Sequence, residues 1–322
     1  MKSIVTLTLN PSVDASCATE TVHPTHKIRT SQTRYDAGGG GINVARVVSE
    51  LGGSASAVYL SGGTVGSLLD TLVADLHIAA KSIPIRDLTR MSLAVTETAT
   101  RLEYRFTPEG PSVTPQEWGI CLDTVREMEF DYLVASGSCP KSLPTNCYTE
   151  LADIARDRGA QFVLDSSGDV FESTMAHGSI YLAKPSLGEL RKLLNEPLHT
   201  ADEIEAAALE LTATGKLEYA AVTLGSDGAL LAGHGDIRWL RPPDVEVRSA
   251  VGAGDSFLGG MLYALANDQN PRDAFALGVA AGSAAVMTPG TELCRKDDIA
   301  RIHEGIERAP DESRPTGYTI TG

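Results

Sequence analysis

Hydrophobic positions along this chain switch between two periods, and the switches delimit its elements. Ile4, Val5, Leu7 and Leu9 form a β-rich run ending at Asn10-Pro11, which predicts a buried strand. Residues 17–36 are polar and β-like, with Lys27 and Arg29 two apart and so on one face of any strand. A helical pattern then runs from the glycine block Gly38–Gly41 to about Leu51, where Gly52-Gly53 stops it. Residues 57–61 read as a strand and Val65–Leu76 as a helix. Residues 91–107 alternate at period two, as strands Met91–Thr96 and Arg101–Phe106 around Glu97–Thr100. That hairpin does not fit a strand–helix–strand rhythm. With 17–36 it predicts a small separate sheet, a lid drawn from about 15–37 and 88–108.

From residue 130 the rhythm is regular. Strand Tyr132–Ala135 ends at Ser136-Gly137-Ser138, and a helix near 145–158 leads to strand Gln161–Leu164, which ends at Asp165-Ser166-Ser167-Gly168. Strand Ile180–Ala183 ends at Lys184-Pro185-Ser186. Helices near 187–194 and 202–214 precede strand Ala220–Thr223, which ends at Leu224-Gly225-Ser226-Asp227-Gly228. Further strands are expected in 229–247, with turns at Gly233–Asp236 and Pro242-Pro243. Apolar residues at helical spacing over Phe257–Leu265 and the alanine-rich stretch Phe275–Met287 predict two closely packed helices. Small and polar residues gather at the strand ends, as in a doubly wound, mostly parallel α/β sheet with helices on both faces and its site along one edge. No repeat or linker divides 1–308, so one domain is expected there, and the polar tail 309–322 is expected to be disordered.

Composition narrows the partners. Of 322 residues, 42% are hydrophobic and 21% charged, which is ordinary for a soluble globular protein. No apolar run approaches the ~18 residues that span a membrane, and MKSIVTLTLN is a strand pattern rather than a signal peptide. The five cysteines, Cys17, Cys121, Cys139, Cys147 and Cys294, are scattered and form no CxxC, which points to a reducing, cytoplasmic setting. A formal charge of −15 argues against nucleic acid as a partner. It leaves open a small phosphorylated substrate, which needs only a few local cations.

The candidate chemistry centres on Val251-Gly252-Ala253-Gly254-Asp255-Ser256-Phe257, a glycine turn that opens a helix. A helix N-terminus presents unpaired N–H donors and partial positive charge, which suits a phosphate or an anionic transition state. Asp255 beside such a site has a reason to be there if it acts as general base on a hydroxyl attacking phosphorus; the alternative is an ordinary loop with an acidic residue in the first helical turn. Asp14, just past the first strand, is either a ligand-binding carboxylate or a turn former. The glycine block is either a flexible linker or bare backbone against a ligand that Asn43 also reaches. Arg90 and Arg105 flank the hairpin, either as phosphate ligands or as solvated surface residues.

Together these stretches resemble the ribokinase-like sugar kinases of the PfkB family. Thr6–Asp14, Gly38–Arg46, Val251–Ser256 and Gly290-Thr291 carry the resemblance across nearly the whole chain. Gly38–Arg46, Asp165–Gly168 and Tyr104-Arg105-Phe106 are most similar to the phosphosugar kinases, the minor bacterial 6-phosphofructokinase type in particular. The resemblance implies an ATP-dependent kinase that phosphorylates fructose 6-phosphate at its 1-hydroxyl, with tagatose-6-phosphate kinase or 1-phosphofructokinase as the alternative. A non-catalytic sugar-phosphate sensor is the alternative of another class. It implies that Asp14, Gly38, Gly39 and Asn43 hold sugar hydroxyls, and that Lys27, Arg90, Arg105 and Ser138 surround the existing phosphate. Asp255 is then the base, with the Gly252, Ala253 and Gly254 amides as the anion hole. Lys184, Ser186, Thr223, Gly225, Gly228 and Ser283 border ATP, with Glu189 associated with Mg2+. A K+ ion is expected at Ser249, Val251, Ala285 and Gly290, with Thr288 and Glu292 nearby, and a homodimer through the lid. One departure stands out: the family's Asn-x-x-Glu reads Ser186-Leu187-Gly188-Glu189 here.

Overall fold

Five consecutive buried residues, Ile4–Thr8, form β1, and the main sheet grows outward from it on both sides. The computed structural model describes residues 1–308 and Arg314; the rest of the tail expected to be disordered lies outside the described residues. In chain order β1 is followed by β2 (Ser12–Thr19), β3 (Ser31–Gly38), α1 (Gly40–Glu50), β4 (Ala55–Gly62), α2 (Gly63–Ala74) and β5 (Ala79–Ile85). Next come β6 (Arg90–Glu97), β7 (Leu102–Phe106), α3 (Pro115–Glu127), β8 (Tyr132–Ser136), α4 (Cys147–Asp157), β9 (Gln161–Asp165) and α5 (Gly168–His177). The remainder is β10 (Ile180–Ala183), α6 (Leu187–Leu194), α7 (Ala201–Ala213), β11 (Leu217–Thr223), β12 (Ala229–Gly233), β13 (Asp236–Leu240), α8 (Ala253–Ala266), α9 (Pro271–Ala285) and α10 (Lys296–Arg308).

Nine strands form the main sheet in the order β13-β12-β11-β10-β9-β8-β1-β4-β5. Seven of them, β5 to β11 in that order, run parallel, and β12 and β13 close one edge antiparallel. The chain runs from β1 outward through β4 to β5 and then returns to β8 on the other side. That reversal puts a crevice at the carboxyl ends of β1 and β8, where open α/β sheets bind ligands. Strand residues alternate between two apolar layers. Val5, Leu7, Leu133 and Ala135 pack with Trp118, Tyr148, Phe171, Leu190 and Ile204 from α3 to α7. Ile4, Tyr132 and Val134 pack with Val48, Phe257, Phe275 and Ile302 from α1, α8, α9 and α10. A helix layer therefore covers each face, as the periodicity implied.

The lid is a second sheet of four strands, β3-β2-β6-β7, with β2 and β6 parallel and the outer pairs antiparallel. Two expectations shift. The polar stretch 17–36 contributes the end of β2 and most of β3, with residues 20–30 forming no regular strand between them. Asp14 lies inside β2, opposite Asp36 and Ser92, rather than in a turn after the first strand. Four elements were not anticipated: β5, α3, α5 and α10. Among the described residues no helix is long and apolar enough to cross a membrane.

Candidate active site

Gly252 caps α8 in the left-handed region, φ 73°, a conformation glycine adopts without a Cβ penalty. The chain turns there so that the first amides of α8, which have no carbonyl one turn before them, face outward. The Lys184 ammonium sits over this helix end: a Cβ built on Gly254 would stand 3.2 Å from Nζ. Lys184 is 5% exposed and pairs with Asp165 at 3.0 Å. Burial works against its charge, yet Asp165, with Asp255 and Glu189 beyond, outweighs that and raises its pKa. The expected nucleotide lysine is thus a permanent cation beside the glycine turn. Its partner Asp165, at the end of β9, had no role assigned from sequence.

Asp255 is half-buried in the first turn of α8, where it accepts a hydrogen bond from Asn43 Nδ2 at 2.8 Å. Burial first, and then the Asp165 carboxylate, push its pKa up, while the Asn43 bond and Lys184 pull it down. Asp14 is likewise raised by burial, against the Ser12 hydroxyl, which donates to Oδ1 at 2.6 Å, and against the charges of Arg90 and Arg105. A Cβ on Gly38 would fall 2.2 Å from Asp14 Oδ2, so that glycine leaves room for the carboxylate. The rest of the block is explained by packing. On Gly40 a Cβ would strike Ser136 Oγ at 2.2 Å, and on Gly41 it would strike Thr8 Oγ1 at 2.6 Å. Those two glycines let α1 start against the ends of β1 and β8, where the sequence suggested a ligand against the whole block.

Beside Asp14 a cleft of about 470 Å³ opens between the lid and the segments around Val251 and Gly290. Asp14, Arg34, Arg101, Arg105 and Arg248 line it, so an acidic protein concentrates arginine there. Arg34, Arg101 and Arg248 carried no sequence signal beyond charge. Arg90 donates to the carbonyls of Asn10 (2.9 Å) and Pro108 (3.3 Å), while its buried Nε has no partner. Ser138 Oγ accepts from Asn10 Nδ2 at 3.1 Å. Lys27 is exposed in the segment between β2 and β3 and does not line the cleft. A larger cavity, about 770 Å³, opens at the opposite ends of β9, β10 and β11, and no candidate residue lines it.

The predicted nucleotide residues lie along the same sheet edge. Ser186 caps α6 in a reciprocal box: its Oγ accepts from Glu189 N, and Glu189 Oε2 accepts from Ser186 N at 2.8 Å. Ser186 also bridges to Thr223, whose N–H donates to Pro185 O at 3.0 Å. Gly225 and Gly228 bracket the next turn; a Cβ on Gly228 would fall 2.2 Å from Leu240 O, so backbone crowding alone demands glycine. Ser283 turns its hydroxyl back onto Val279 O within α9. In the expected cation loop, Ser249 Oγ donates to Gly290 O at 2.9 Å, and Thr288 Oγ1 lies 2.8 Å from both Ala285 O and Glu292 O, with one proton to donate to either. Glu292 pairs with Arg34 at 3.1 Å, and Asp36, paired with the same arginine, accepts from Thr291. The loop is thereby latched to lid strand β3.

The sequence matches the pfkB family of carbohydrate kinases over residues 5–298. It is 41% identical over 304 residues to the ATP-dependent 6-phosphofructokinase isozyme 2 of Mycobacterium tuberculosis, covering 94% of this chain and 89% of that protein. Against a tagatose-6-phosphate kinase of Staphylococcus epidermidis the identity is 30%, over 94% and 98% of the two chains. Among solved structures, phosphofructokinase-2 from Escherichia coli in complex with fructose-6-phosphate superimposes with a TM-score of 0.90, at 36% identity, over 96% and 100% of the two chains. The same Escherichia coli enzyme in complex with potassium gives a TM-score of 0.92 at 37% identity, over the same shares.

Proposed function

The chain belongs to the pfkB family of carbohydrate kinases, and from that premise we propose that it transfers the γ-phosphoryl group of ATP to the 1-hydroxyl of fructose 6-phosphate. The observation that carries this reading is the meeting of Asp255, the glycine-opened end of α8 and Lys184 at one point of the sheet edge. In-line phosphoryl transfer asks chiefly for positioning and for charge stabilisation on the transferred group. Asp255 takes the proton of the attacking hydroxyl. The α8 amides of Gly252, Ala253 and Gly254, with Lys184, hold the charge that develops on phosphorus. Asp14 and Asn43 orient sugar hydroxyls. Arg90, with its free Nε, and Arg105 accept the existing phosphate, with Ser138 beside them.

Among the described residues no cluster of three or more His, Cys, Asp or Glu forms a metal cage. That suits Mg2+, which enters on ATP phosphates and keeps much of its water; Glu189, with one oxygen engaged at the helix cap, is the group here that would steady it. Neutral carbonyls at Ser249, Val251, Ala285 and Gly290 are oxygen donors of the kind a monovalent cation such as K+ takes, and its charge would reinforce the anion hole. The exposed apolar lid residues Tyr35, Leu93, Leu102 and Phe106 suit self-association through the lid.

A coupled assay with ATP tests the reading against fructose 6-phosphate, tagatose 6-phosphate, fructose 1-phosphate and unphosphorylated fructose. Fructose 6-phosphate is expected to give the highest kcat/KM. Faster turnover of free fructose would overturn the phosphosugar assignment.

A further inference from the structure

Arg46 lies one helical turn after Asn43 on α1 and donates from Nη1 to Asn43 Oδ1 at 3.3 Å. On the other side of the same amide, Asn43 Nδ2 donates to Asp255 Oδ2 at 2.8 Å. A guanidinium is a donor only, and an ionised carboxylate an acceptor only. Only one orientation of the amide satisfies both neighbours, with oxygen toward Arg46 and NH2 toward Asp255. Arg46 is half-buried, and burial lowers its pKa from the ordinary arginine value. Among the described residues no carboxylate lies within ion-pair distance of it. A partly desolvated cation without a paired anion is costly, so its position wants a reason other than stability.

We propose that Arg46 is a positioning residue for the transfer: it locks the Asn43 amide, and through that amide it keeps the Asp255 carboxylate aimed at the acceptor hydroxyl. This rests on the reading of Asp255 as the base. The groups facing Asp255 come from several elements: Asp165 at the end of β9, Lys184 after β10, Asp14 on β2 and Asn43 on α1. Those facing Arg46 are Asp36 and Arg34 on β3, the Cys294 thiol, and Asp255 itself. Of these, Arg46 is the donor that meets the Asn43 amide oxygen, and it thereby reinforces the orientation that presents NH2 to the base. With Arg46 replaced, the amide is free to turn its oxygen toward Asp255, where two acceptors would face each other unless the carboxylate takes up a proton.

The test is the pH dependence of kcat for fructose 6-phosphate phosphorylation in the wild type, Arg46→Gln, Arg46→Lys, Asn43→Ala and the double variant Asn43→Ala/Arg46→Gln. In Arg46→Gln the acid limb should move up by about one pH unit, and kcat should fall about tenfold from lost aim. Arg46→Lys, a single donor in place of a planar fork, should fall between it and the wild type. In the Asn43→Ala background the glutamine substitution should move the limb no further. An unmoved acid limb in Arg46→Gln overturns the proposal. So does an equal shift with and without Asn43, which would make Arg46 a remote charge. If Arg46→Gln does not fold, the lysine variant decides: a profile identical to the wild type's overturns the proposal. A wild type that phosphorylates no sugar phosphate would sink the functional reading instead. The carbon-13 titration of the Asp255 carboxyl in ligand-free protein, taken by difference against Asp255→Asn, then judges the positioning role alone, with the same shift expected.

Discussion

The two sheets of this protein are built on opposite terms. In the main sheet, β1 and β8 are buried at every position, and helices cover both faces. In the lid, β7 has no fully buried residue, and Leu102 and Phe106 are 57% and 58% exposed. The groups proposed for chemistry sit against the first: Asp255 and the glycine turn at the start of α8, Lys184 just past β10. The groups proposed for the substrate's phosphate sit on the second, Arg90 on β6 and Arg105 on β7. A buried scaffold holds geometry to the tolerance that proton and phosphoryl transfer need. A thin, exposed sheet opens at low energetic cost, because few buried apolar contacts must be broken. The proposed roles therefore place the turnover rate on the main body and the apparent affinity for sugar phosphate on the lid.

The largest expected effect sharpens that division. Asp255→Asn keeps shape but cannot take the hydroxyl proton, so kcat should fall by ~10²–10⁴ while the Kd for fructose 6-phosphate, measured by calorimetry, hardly changes. Stability should move the other way. Burial and Asp165 raise the Asp255 pKa, so the fold disfavours the ionised form that prevails at neutral pH. Removing the charge should therefore raise Tm at neutral pH. The gain should disappear as pH falls below the ordinary carboxylate range, where the wild-type group is protonated in both states. A near wild-type kcat would take Asp255 out of the mechanism.

The lid provides the counterpart. Arg90→Ala removes a charge-assisted contact worth ~1.5–3 kcal/mol, so KM for fructose 6-phosphate should rise roughly 10–100-fold with kcat nearly kept. Steady-state kinetics that instead showed kcat collapsing at constant KM would break the division of labour between the two sheets. Smaller again is the effect of Phe106→Glu. A charge at the end of edge strand β7, among the lid's exposed apolar residues, should dissociate any lid-mediated oligomer in sedimentation velocity, leaving Tm within a few degrees, since Phe106 is not part of a core. An unchanged sedimentation coefficient would mean that the lid face is not the interface.

The same contrast explains what was legible in the sequence. The main strands were readable because both their faces are apolar, which gives short runs bounded by polar strand ends. The lid hairpin at β6 and β7 was readable because it broke that rhythm. Edge strand β5 was missed because only Ile83 and Ile85 of it are buried, so it never forms a run. Helix α3 had a signal that went unread, Thr114-Pro115-Gln116-Glu117, which forms a full capping box. So did α10, whose Ile299, Ile302 and Ile306 are buried at helical spacing. At the site, Gly252, Asn43 and Asp255 came from local motifs. The arginines lining the cleft, and Asp165 under Lys184, depend on which strands become neighbours, and no local pattern carries that. Lys27 has the chemistry to hold a phosphate, but it sits in the segment between β2 and β3 and does not line the cleft of its own chain.

The smallest predicted effect tests the main body at its least familiar position. Ser186 stands where the family resemblance led us to expect asparagine, beside the proposed nucleotide edge. Its present work is structural: Ser186 and Glu189 cap α6 reciprocally. Asparagine caps a helix about as well as serine, so Ser186→Asn should alter Tm little, within a few tenths of a kcal/mol. That makes the substitution clean, because a kinetic change could not be blamed on a frayed helix. Asparagine would reach further, with an amide oxygen able to face a hydrated metal. It would also compete for Glu189, whose Oε2 now accepts from both the Ser186 N–H and its hydroxyl, at 2.8 and 3.0 Å. A freed glutamate oxygen is one more ligand for Mg2+ on the nucleotide. The Mg2+ concentration for half-maximal rate should therefore fall in Ser186→Asn, with KM for fructose 6-phosphate unchanged because the lid is untouched. Mg2+ titrations that superimpose for the two proteins would leave Ser186 a helix cap and nothing more, and would remove Glu189 from the metal's surroundings.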